Sequence, residues 1–429
     1  MVSDLVTDAK AISQQWLAEL DLRRLITERL TNARMLDADF GVDVVAIGKA
    51  AREMSDVTDL ALGTRVLRAL VICDRESAER EPRAGPVVVG DHPVPGVGSL
   101  NAGRSLRAFL DIASGARCTL FLISGGASSL CALPEPPLDL VDLALVWDAA
   151  LASGVDITTL NKVRAATSQI AGGRILRCVR TEESRSLIMV DNVLSGAEWV
   201  ASGLTYDFSP DAGEAAKLVA KLNLGDVGLR DRLLRAASRR SVAMAAPIAT
   251  VHENAVVAEP AMLMEHARGE ARRRGYRVVE MGSDVHGDVR AVCDRWMEVI
   301  RSASDRREPL CVLGVGEVTV QVRGSGSGGR CQEFAWLMAD PLANLGRMSA
   351  FVARASDGRD FLAGVSGAWV DESTKERAER VGIDWEQILR DHDSHRALEA
   401  VGQLLVGGHT GWNLCDVYVA LVEGNSGAD

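Results

Sequence analysis

A chain of 429 residues, 47% apolar and 25% charged, exceeds what one hydrophobic core supports, so two domains are expected. A net charge of −11 excludes a general binder of nucleic acid or anionic membrane, although local arginines can still hold a small anion. No apolar run approaches the roughly 20 residues that span a bilayer.

Met1 to Lys10 carries Asp4 and Asp8 and no apolar signal core. Eight cysteines occur without a C-x-x-C pair, a pattern of reduced thiols rather than of a disulfide frame or a zinc site. A cytoplasmic protein is therefore expected, with no nucleic-acid or membrane partner and a homodimer left open.

In chain order, Leu5 to Leu30 has apolar residues three and four apart and predicts a helix anchored by Trp16. Val42 to Ile47 is a β-branched run suited to a buried strand, and Gly48-Lys49-Ala50-Ala51 opens a helix through Met54 and Leu60. Strands are predicted at Arg68–Cys73, Pro86–Val89, Cys118–Ile123 and Leu187–Val190. Helices are predicted at Ser99–Ala113, Leu138–Ser153 and Leu160–Cys178. From Leu222 to Arg240 the chain turns polar and arginine-rich, which suggests a crossing between domains placed at 1–235 and 236–429. Beyond it, strands are predicted at Ser241–Val251, Tyr276–Met281, Leu310–Val315, Val318–Val322, Met348–Ala355 and Asp416–Val422. The helices Pro260–Arg274 and Val285–Ser302 lie between them. Strands alternating with helices of this length predict an α/β fold, here two Rossmann-like αβα domains with mostly parallel sheets facing a shared cleft.

Several strands end in polar or glycine-rich loops, and open α/β sheets bind ligands beyond the carboxyl ends of their strands. The stretch Val318 to Ala335 passes from strand to helix through four glycines in six residues, Gly324, Gly326, Gly328 and Gly329, with Arg330 at the helix mouth. Such a loop can turn backbone N–H groups inward onto phosphate, or be only a tight turn. Lys49 stands at a helix start where a mobile cation can reach an anionic ligand, but Asp43 replaces the first glycine of a Walker A site.

Ser124-Gly125-Gly126-Ala127-Ser128 lacks the G-x-S-x-G elbow and reads as a nest rather than a nucleophile. Asp91-His92-Pro93-Val94-Pro95 is held extended by its prolines. Asp357 and Asp360 in Ser356-Asp357-Gly358-Arg359-Asp360, with Glu317, are carboxylates of the kind that hold Mg²⁺ or take a proton, although Asp and Gly also favour turns. Asp39-Phe40-Gly41 has no kinase loop beside it, and His286, His392 and His395 read as surface residues.

Together these segments resemble the type II glycerate kinase family, with a DUF4147-type N-terminal half and a MOFRL C-terminal half, over about Val44 to Val422. Gly48-Lys49-Ala50-Ala51 resembles the family's G-K-A-A, His92-Pro93-Val94-Pro95 its H-P-V-P, and Ser124-Gly125-Gly126 with Ser128 its S-G-G-G-S. Asn161, Val163 and Arg164 sit at N-x-V-R, Gly172-Gly173-Arg174 at G-G-R, and Ala201-Ser202-Gly203 with Thr205 at A-S-G-P-T. Glu317 and Thr319 match G-G-E-T-T, and Gly328-Gly329-Arg330 with Gln332-Glu333 match G-G-R-N-Q-E. Asp357-Gly358 and Asp360 match D-G-x-D-G, and Thr410-Gly411, Asn413 and Asp416 match T-G-T-N-x-x-D.

The resemblance implies ATP- and Mg²⁺-dependent phosphorylation of D-glycerate to 2-phosphoglycerate in a cleft between two α/β domains. Lys49 and Arg330 would then stabilise the transferred phosphoryl group, as phosphoryl transfer needs positioning and charge neutralisation above all. Asp191 joins them as a catalytic or metal-holding carboxylate, with Glu317, Asp357 and Asp360 as metal candidates. His92, Ser124, Gly125, Gly126, Ser128, Asn161 and Arg164 would bind substrate, Arg164 clamping a carboxylate. The four loop glycines with Thr410, Gly411 and Asn413 would bind nucleotide phosphate.

The departures from the family are chemical. V-R-K-H-L-S becomes Val163-Arg164-Ala165-Ala166-Thr167-Ser168, and Cys73-Asp74 replaces Thr-Lys. The acidic loop S-D-V-P-G-D-D-P reads Val190-Asp191-Asn192-Val193-Leu194-Ser195-Gly196-Ala197, and Gly364 replaces an aspartate. Cys331 and His409 replace an asparagine and a proline. Three readings stay open: a kinase of glycerate or a related hydroxy acid, the same fold with different chemistry on a polar or phosphorylated metabolite, and a catalytically silent homologue.

Overall fold

The computed structural model describes residues 4–32, 40–79, 85–152, 157–191, 196–207, 212–222, 224, 226–244, 251–303 and 307–424. The expectations on Asp39, Asn192, Val193, Leu194 and Ser195 lie outside these residues. Two compact units emerge, one of Leu22–Asp191 with Ser195–Ala258, the other of Met1–Asp21 and Asn192–Leu194 with Glu259–Asp429.

The first unit is an α/β sandwich on a six-stranded sheet. Its strands are β1 (Val42–Ile47), β2 (Val66–Cys73), β3 (Val87–Val89), β4 (Cys118–Ile123), β5 (Glu183–Met189) and β6 (Val251–Ala258). They lie in the order β3-β2-β1-β4-β5-β6, all pairings parallel. The sheet is covered on both faces, so β1 and β4 are buried at every position and read as apolar runs broken only by Asp43 and Thr119. Alternation still decides partners: Val45, Ile47, Phe121 and Ile123 pack with Leu106 and Leu110 of helix Val97–Asp111. Helix Ala51–Leu62 packs against β1, β2 and β4.

A satellite of four helices carries its own core of Val146, Trp147, Leu160, Val163, Leu218, Leu229 and Leu233. The arginine-rich stretch predicted as a crossing is one of these helices, Val227–Met244. It buries Leu229, Leu233 and Ala236, while Arg232 forks onto Asp142 at 2.9 and 2.6 Å. Residues 241–244, predicted as strand, belong to that helix. The predicted helix Leu160–Cys178 stops at Ala166; Gly172 and Gly173 then take φ of 60° and 74°, which no helix adopts, and a short turn of 3₁₀ helix follows at Arg174–Cys178.

The second unit holds β7 (Arg277–Asp288), β8 (Leu310–Thr319), β9 (Ser349–Ala355), β10 (Val365–Asp371), β11 (Leu404–Val406) and β12 (Asp416–Val422). Their order is β11-β10-β9-β12-β8-β7. The fold is α/β in both units, but the parallel pairing is concentrated in the first. In the second only β7 and β8 run parallel, the other four pairings being antiparallel. The predicted strands Leu310–Val315 and Val318–Val322 are one strand ending at Thr319. Helices Val289–Ala303 and Arg330–Ala343 bury Trp296, Phe334 and Trp336 against Phe351 and Tyr418.

The opposite face takes helices Pro260–Arg273 and Leu5–Glu19. The latter is capped by Asp4 and buries Leu5, Ala9, Ile12 and Trp16. Buried polar bonds hold it in this unit: Tyr276 and Arg274 bind Asp8, and Arg354 Nε donates to Ser13 Oγ at 3.1 Å. Trp16 meets Trp412 edge-on at 6.3 Å. The compact units divide the chain elsewhere than the expected boundary at residue 235. The first unit continues through β6, and the chain's first helix belongs with the second unit, where its apolar face packs and Asp8 is paired.

Candidate active site

In the first unit, the strand order reverses between β1 and β4, and the crevice beyond their carboxyl ends is where open α/β sheets bind ligands. The residues there are Gly48-Lys49 after β1 and Ser124 to Ser128 after β4. They are laced together: Lys49 N donates to Gly125 O at 2.9 Å, and Ala50 N to Ser124 Oγ at 3.0 Å. Gly48 has φ 130°, and a Cβ on it would stand 2.2 Å from Ser124 Oγ, so glycine permits this approach. Ser124 is thus a structural acceptor whose hydroxyl is engaged at the start of the helix that follows Lys49.

His92, from the loop after β3, comes to the same place. A Cβ on Gly126 would lie 3.1 Å from His92 Cδ2 and 3.3 Å from Lys49 Cγ. Partial burial first, and the Lys49 cation second, push the His92 imidazole down to about 4, against the opposing pull of Asp74. Asp91 fixes that loop, its Oδ2 accepting from Ser99 N at 3.2 Å. Asp191 follows β5 at the same end of the sheet.

Further along the β4 loop, Ser128 shares a hydrogen bond of 2.8 Å with Ser202, which donates to Asn161 Oδ1 at 3.3 Å. Ser128 and Ser202 also line a cavity with Arg164, Thr167, Ser168 and Trp147, whose inner recess has room for about one water-sized group. The Arg164 guanidinium lies over the Trp147 ring at 4.6 Å, and burial pushes it down to about 10. Arg164 Nε and Trp147 Nε1 are buried without a hydrogen-bond partner among the described residues. Two such donors in one wall are matched to an acceptor.

In the second unit, Arg330 opens helix Arg330–Ala343, and its guanidinium is paired with two carboxylates. Nε and Nη2 fork onto Asp416 at 2.5 and 2.8 Å, and Nη1 meets Glu317 at 2.9 Å. Burial pulls Arg330 downward, but Asp416 and then Glu317 together outweigh it and raise Arg330 above its ordinary value. Glu317 is therefore an ion-pair partner here rather than an open metal ligand.

Asp360 requires a fuller correction. Its carboxylate accepts from Cys331 N at 3.0 Å, Gln332 N at 2.8 Å and Gln332 Nε2 at 3.0 Å. It caps the helix that Gly329 begins without a side chain of its own. The glycine loop serves close approach as well. Gly326 N donates to Asp391 O at 2.8 Å and Ser327 N to Asp393 Oδ1 at 3.1 Å, so these two amides do not form an inward phosphate nest. A Cβ on Gly324, Gly328 or Gly329 would stand 2.2–2.4 Å from Asp391, Ser394 or Asp360.

Asp357 sits in the turn after β9, its Oδ1 accepting from Arg359 N at 2.9 Å. Thr410 Oγ1 donates to Ser356 O at 2.5 Å and accepts from Trp412 N at 3.2 Å, while Gly411 takes φ 78° and Asn413 is buried. These residues knit two loops together. His392 and His395, read as solvated, instead hydrogen-bond Glu333 at 3.1 Å and Gln332 at 2.9 Å.

Sequence reading gives no role to Trp147 or Tyr418. Tyr418 stands two residues after Asp416 on β12, hence on the same face, and that spacing is the signal that finds it.

The family described as a domain of unknown function, DUF4147, matches residues 8–237, and the MOFRL family matches residues 310–416. A glycerate 2-kinase of Pyrococcus horikoshii is 30% identical over 405 residues, covering 90% of this chain and 88% of the relative. A D-glycerate 2-kinase of Thermotoga maritima is 27% identical over 385 residues, covering 89% and 90%. The crystal structure of a Thermotoga maritima glycerate kinase superposes with a TM-score of 0.82 at 26% identity, covering 97% of this chain and 99% of that one.

Proposed function

Because the chain belongs to the type II glycerate kinase family, we propose that it is a kinase phosphorylating a hydroxyl of D-glycerate or a related hydroxy acid with ATP. The observation that carries this reading is Lys49, held by the β4 loop at the β1/β4 crevice beside a neutral imidazole. A cation there can neutralise a phosphoryl group during transfer, the largest service such an enzyme renders. Arg330 is the proposed second charge, Asp191 a proposed catalytic carboxylate, and His92, Gly125, Gly126, Ser128, Asn161 and Arg164 are proposed substrate contacts.

Among the described residues no cluster of three or more His, Cys, Asp or Glu is arranged to hold a metal ion, so a resident protein cage does not fit. Magnesium bound largely by substrate phosphates needs only one or two carboxylates. Asp191 in the first unit and Asp357 in the second are each proposed as a carboxylate of this kind, Asp360 being occupied as a cap.

The test is ³¹P NMR of the purified chain with Mg-ATP and D-glycerate, alongside calorimetric titration of Mg-ATP. Appearance of a phosphomonoester with equimolar ADP is expected; neither turnover nor nucleotide binding would retire the reading.

A second reading rests on Ala165 and Ala166, both buried where the family carries lysine and histidine, and on Asp74, which acts on His92 with a sign opposite to the family's lysine. Under it the same crevice serves different chemistry on another polar metabolite. A hydroxy-acid screen that finds no phosphoryl acceptor while a ligand still binds would favour it.

A further inference from the structure

Arg330 has two carboxylate partners that differ in kind. Asp416 is wholly buried at the start of β12, where its Cα pairs across to Gly316 of β8. It takes two parallel N–H bonds from the guanidinium and a third from Tyr418 Oη at 3.0 Å. Tyr418 is itself fixed, since Val318 N donates to its oxygen at 3.2 Å. A carboxylate held by three donors, on a strand paired on both sides, cannot leave without exposing unsatisfied buried groups.

Glu317, next along β8 from Gly316, meets the outer edge of the same guanidinium through Nη1 at 2.9 Å, and its side chain is 49% exposed. An ion pair open to solvent on one side is worth about 0–1 kcal/mol and is easily exchanged. The guanidinium is thus clamped on its inner edge and only covered on its outer one.

We infer that Asp416, backed by Tyr418, is the positioning residue that presents Arg330, and that Glu317 is an internal stand-in displaced from Arg330 Nη1 by an anionic phosphate group of the ligand. The inference rests on the phosphoryl-transfer reading for the identity of that group, and on geometry alone for the roles of the three side chains. Displacement breaks no covalent bond: the ion pair to Glu317 opens, the carboxylate swings into water, and a phosphate oxygen accepts the freed N–H.

The test is calorimetric titration of the full-length chain with inorganic pyrophosphate, with and without Mg²⁺, for the wild type and for Glu317→Gln, Arg330→Gln, Asp416→Asn, Asp416→Glu and Tyr418→Phe. Removing the competing carboxylate in Glu317→Gln tightens metal-free binding about two- to fivefold, the span that a partly exposed ion pair can supply. Arg330→Gln and Asp416→Asn both weaken it at least tenfold, and Tyr418→Phe weakens it less.

Binding that is no tighter in Glu317→Gln, or weaker only when Mg²⁺ is present, would make Glu317 a metal holder and overturn the stand-in role. If Asp416→Asn lowers Tm but leaves kcat per folded molecule unchanged, its role is structural and the positioning claim fails. A lowered kcat that Asp416→Glu partly restores supports it. Should Asp416→Asn not fold, Tyr418→Phe decides the same point, because it leaves both guanidinium bonds in place. A chain that ranks the variants as expected yet never phosphorylates D-glycerate retires the kinase reading and leaves this inference standing. Turnover with pyrophosphate binding indifferent to Arg330→Gln does the reverse.

Discussion

Replacing Asp360 separates its observed role from the metal-binding role that its sequence context suggests. In Asp360→Ala the carboxylate that accepts from Cys331 N, Gln332 N and Gln332 Nε2 disappears, in a site 1% exposed. Loss of a helix cap costs about 1–2 kcal/mol. Leaving buried donors unpaired adds about 1–3 kcal/mol. Against this, burial raises the Asp360 pKa, so removing the group also removes a desolvation cost. A net loss of roughly 2–4 kcal/mol follows, or about 5–15 °C in Tm at the 2–4 °C per kcal/mol usual for a domain of this size. Calorimetric melting of the full chain measures it, with the Mg²⁺ dependence of turnover followed in parallel. The pH dependence adds a sign. A carboxyl whose folded pKa is raised contributes stability that is fully present below its unfolded value near 3.9 and is lost as pH rises through the folded one, so Asp360→Asn removes that decline. A Tm within about 1 °C of wild type, with a shifted Mg²⁺ requirement, would refute the cap and restore the metal ligand.

Lys49→Ala should lower kcat by about 10²–10³-fold with little change in Tm, as expected for a half-buried cation aimed at developing charge; a steady-state assay with a melting curve checks it, and unchanged turnover would remove Lys49 from the mechanism. Gly126→Ala forces a side chain into φ 79° beside His92 and Lys49, which should cost about 1–2 kcal/mol and reduce turnover beyond what lost stability explains; wild-type melting and kcat would contradict the close packing described. The His92 imidazole should titrate near 4 by NMR, below its ordinary 6.5. Its depressed pKa makes stability rise with pH between those values, and Lys49→Ala should move the titration upward; a midpoint at or above 6.5 would show that the cation does not reach the ring.

Much of the first sheet is legible in sequence because its central strands are buried on both faces and bounded by turn residues. Val42–Ile47 and Cys118–Ile123 are found at their observed limits. So is Asp416–Val422 in the second unit, again a central strand. The loops that follow β1 and β4 are legible too, since Gly48 and Gly126 are required by backbone conformation and close approach, which are local demands. β10, β11 and the short helices beside them carry no such mark, since half-buried runs of seven residues or fewer blend into surrounding polar sequence.

Side-chain employment is what only the tertiary structure decides. A carboxylate in a turn reads alike whether it awaits a metal, as sequence suggests for Asp360, or caps a helix that begins 30 residues earlier. An arginine beside a glycine loop reads as a free phosphate clamp until Asp416, from a distant strand, is seen to hold it. The arginine-rich stretch after Leu222 reads as a crossing until Asp142 is seen to pair with Arg232. Periodicity and turn chemistry act over neighbouring residues and so are written locally. Charge pairing and capping act between groups brought together by folding, and a sequence names those groups without saying which will meet.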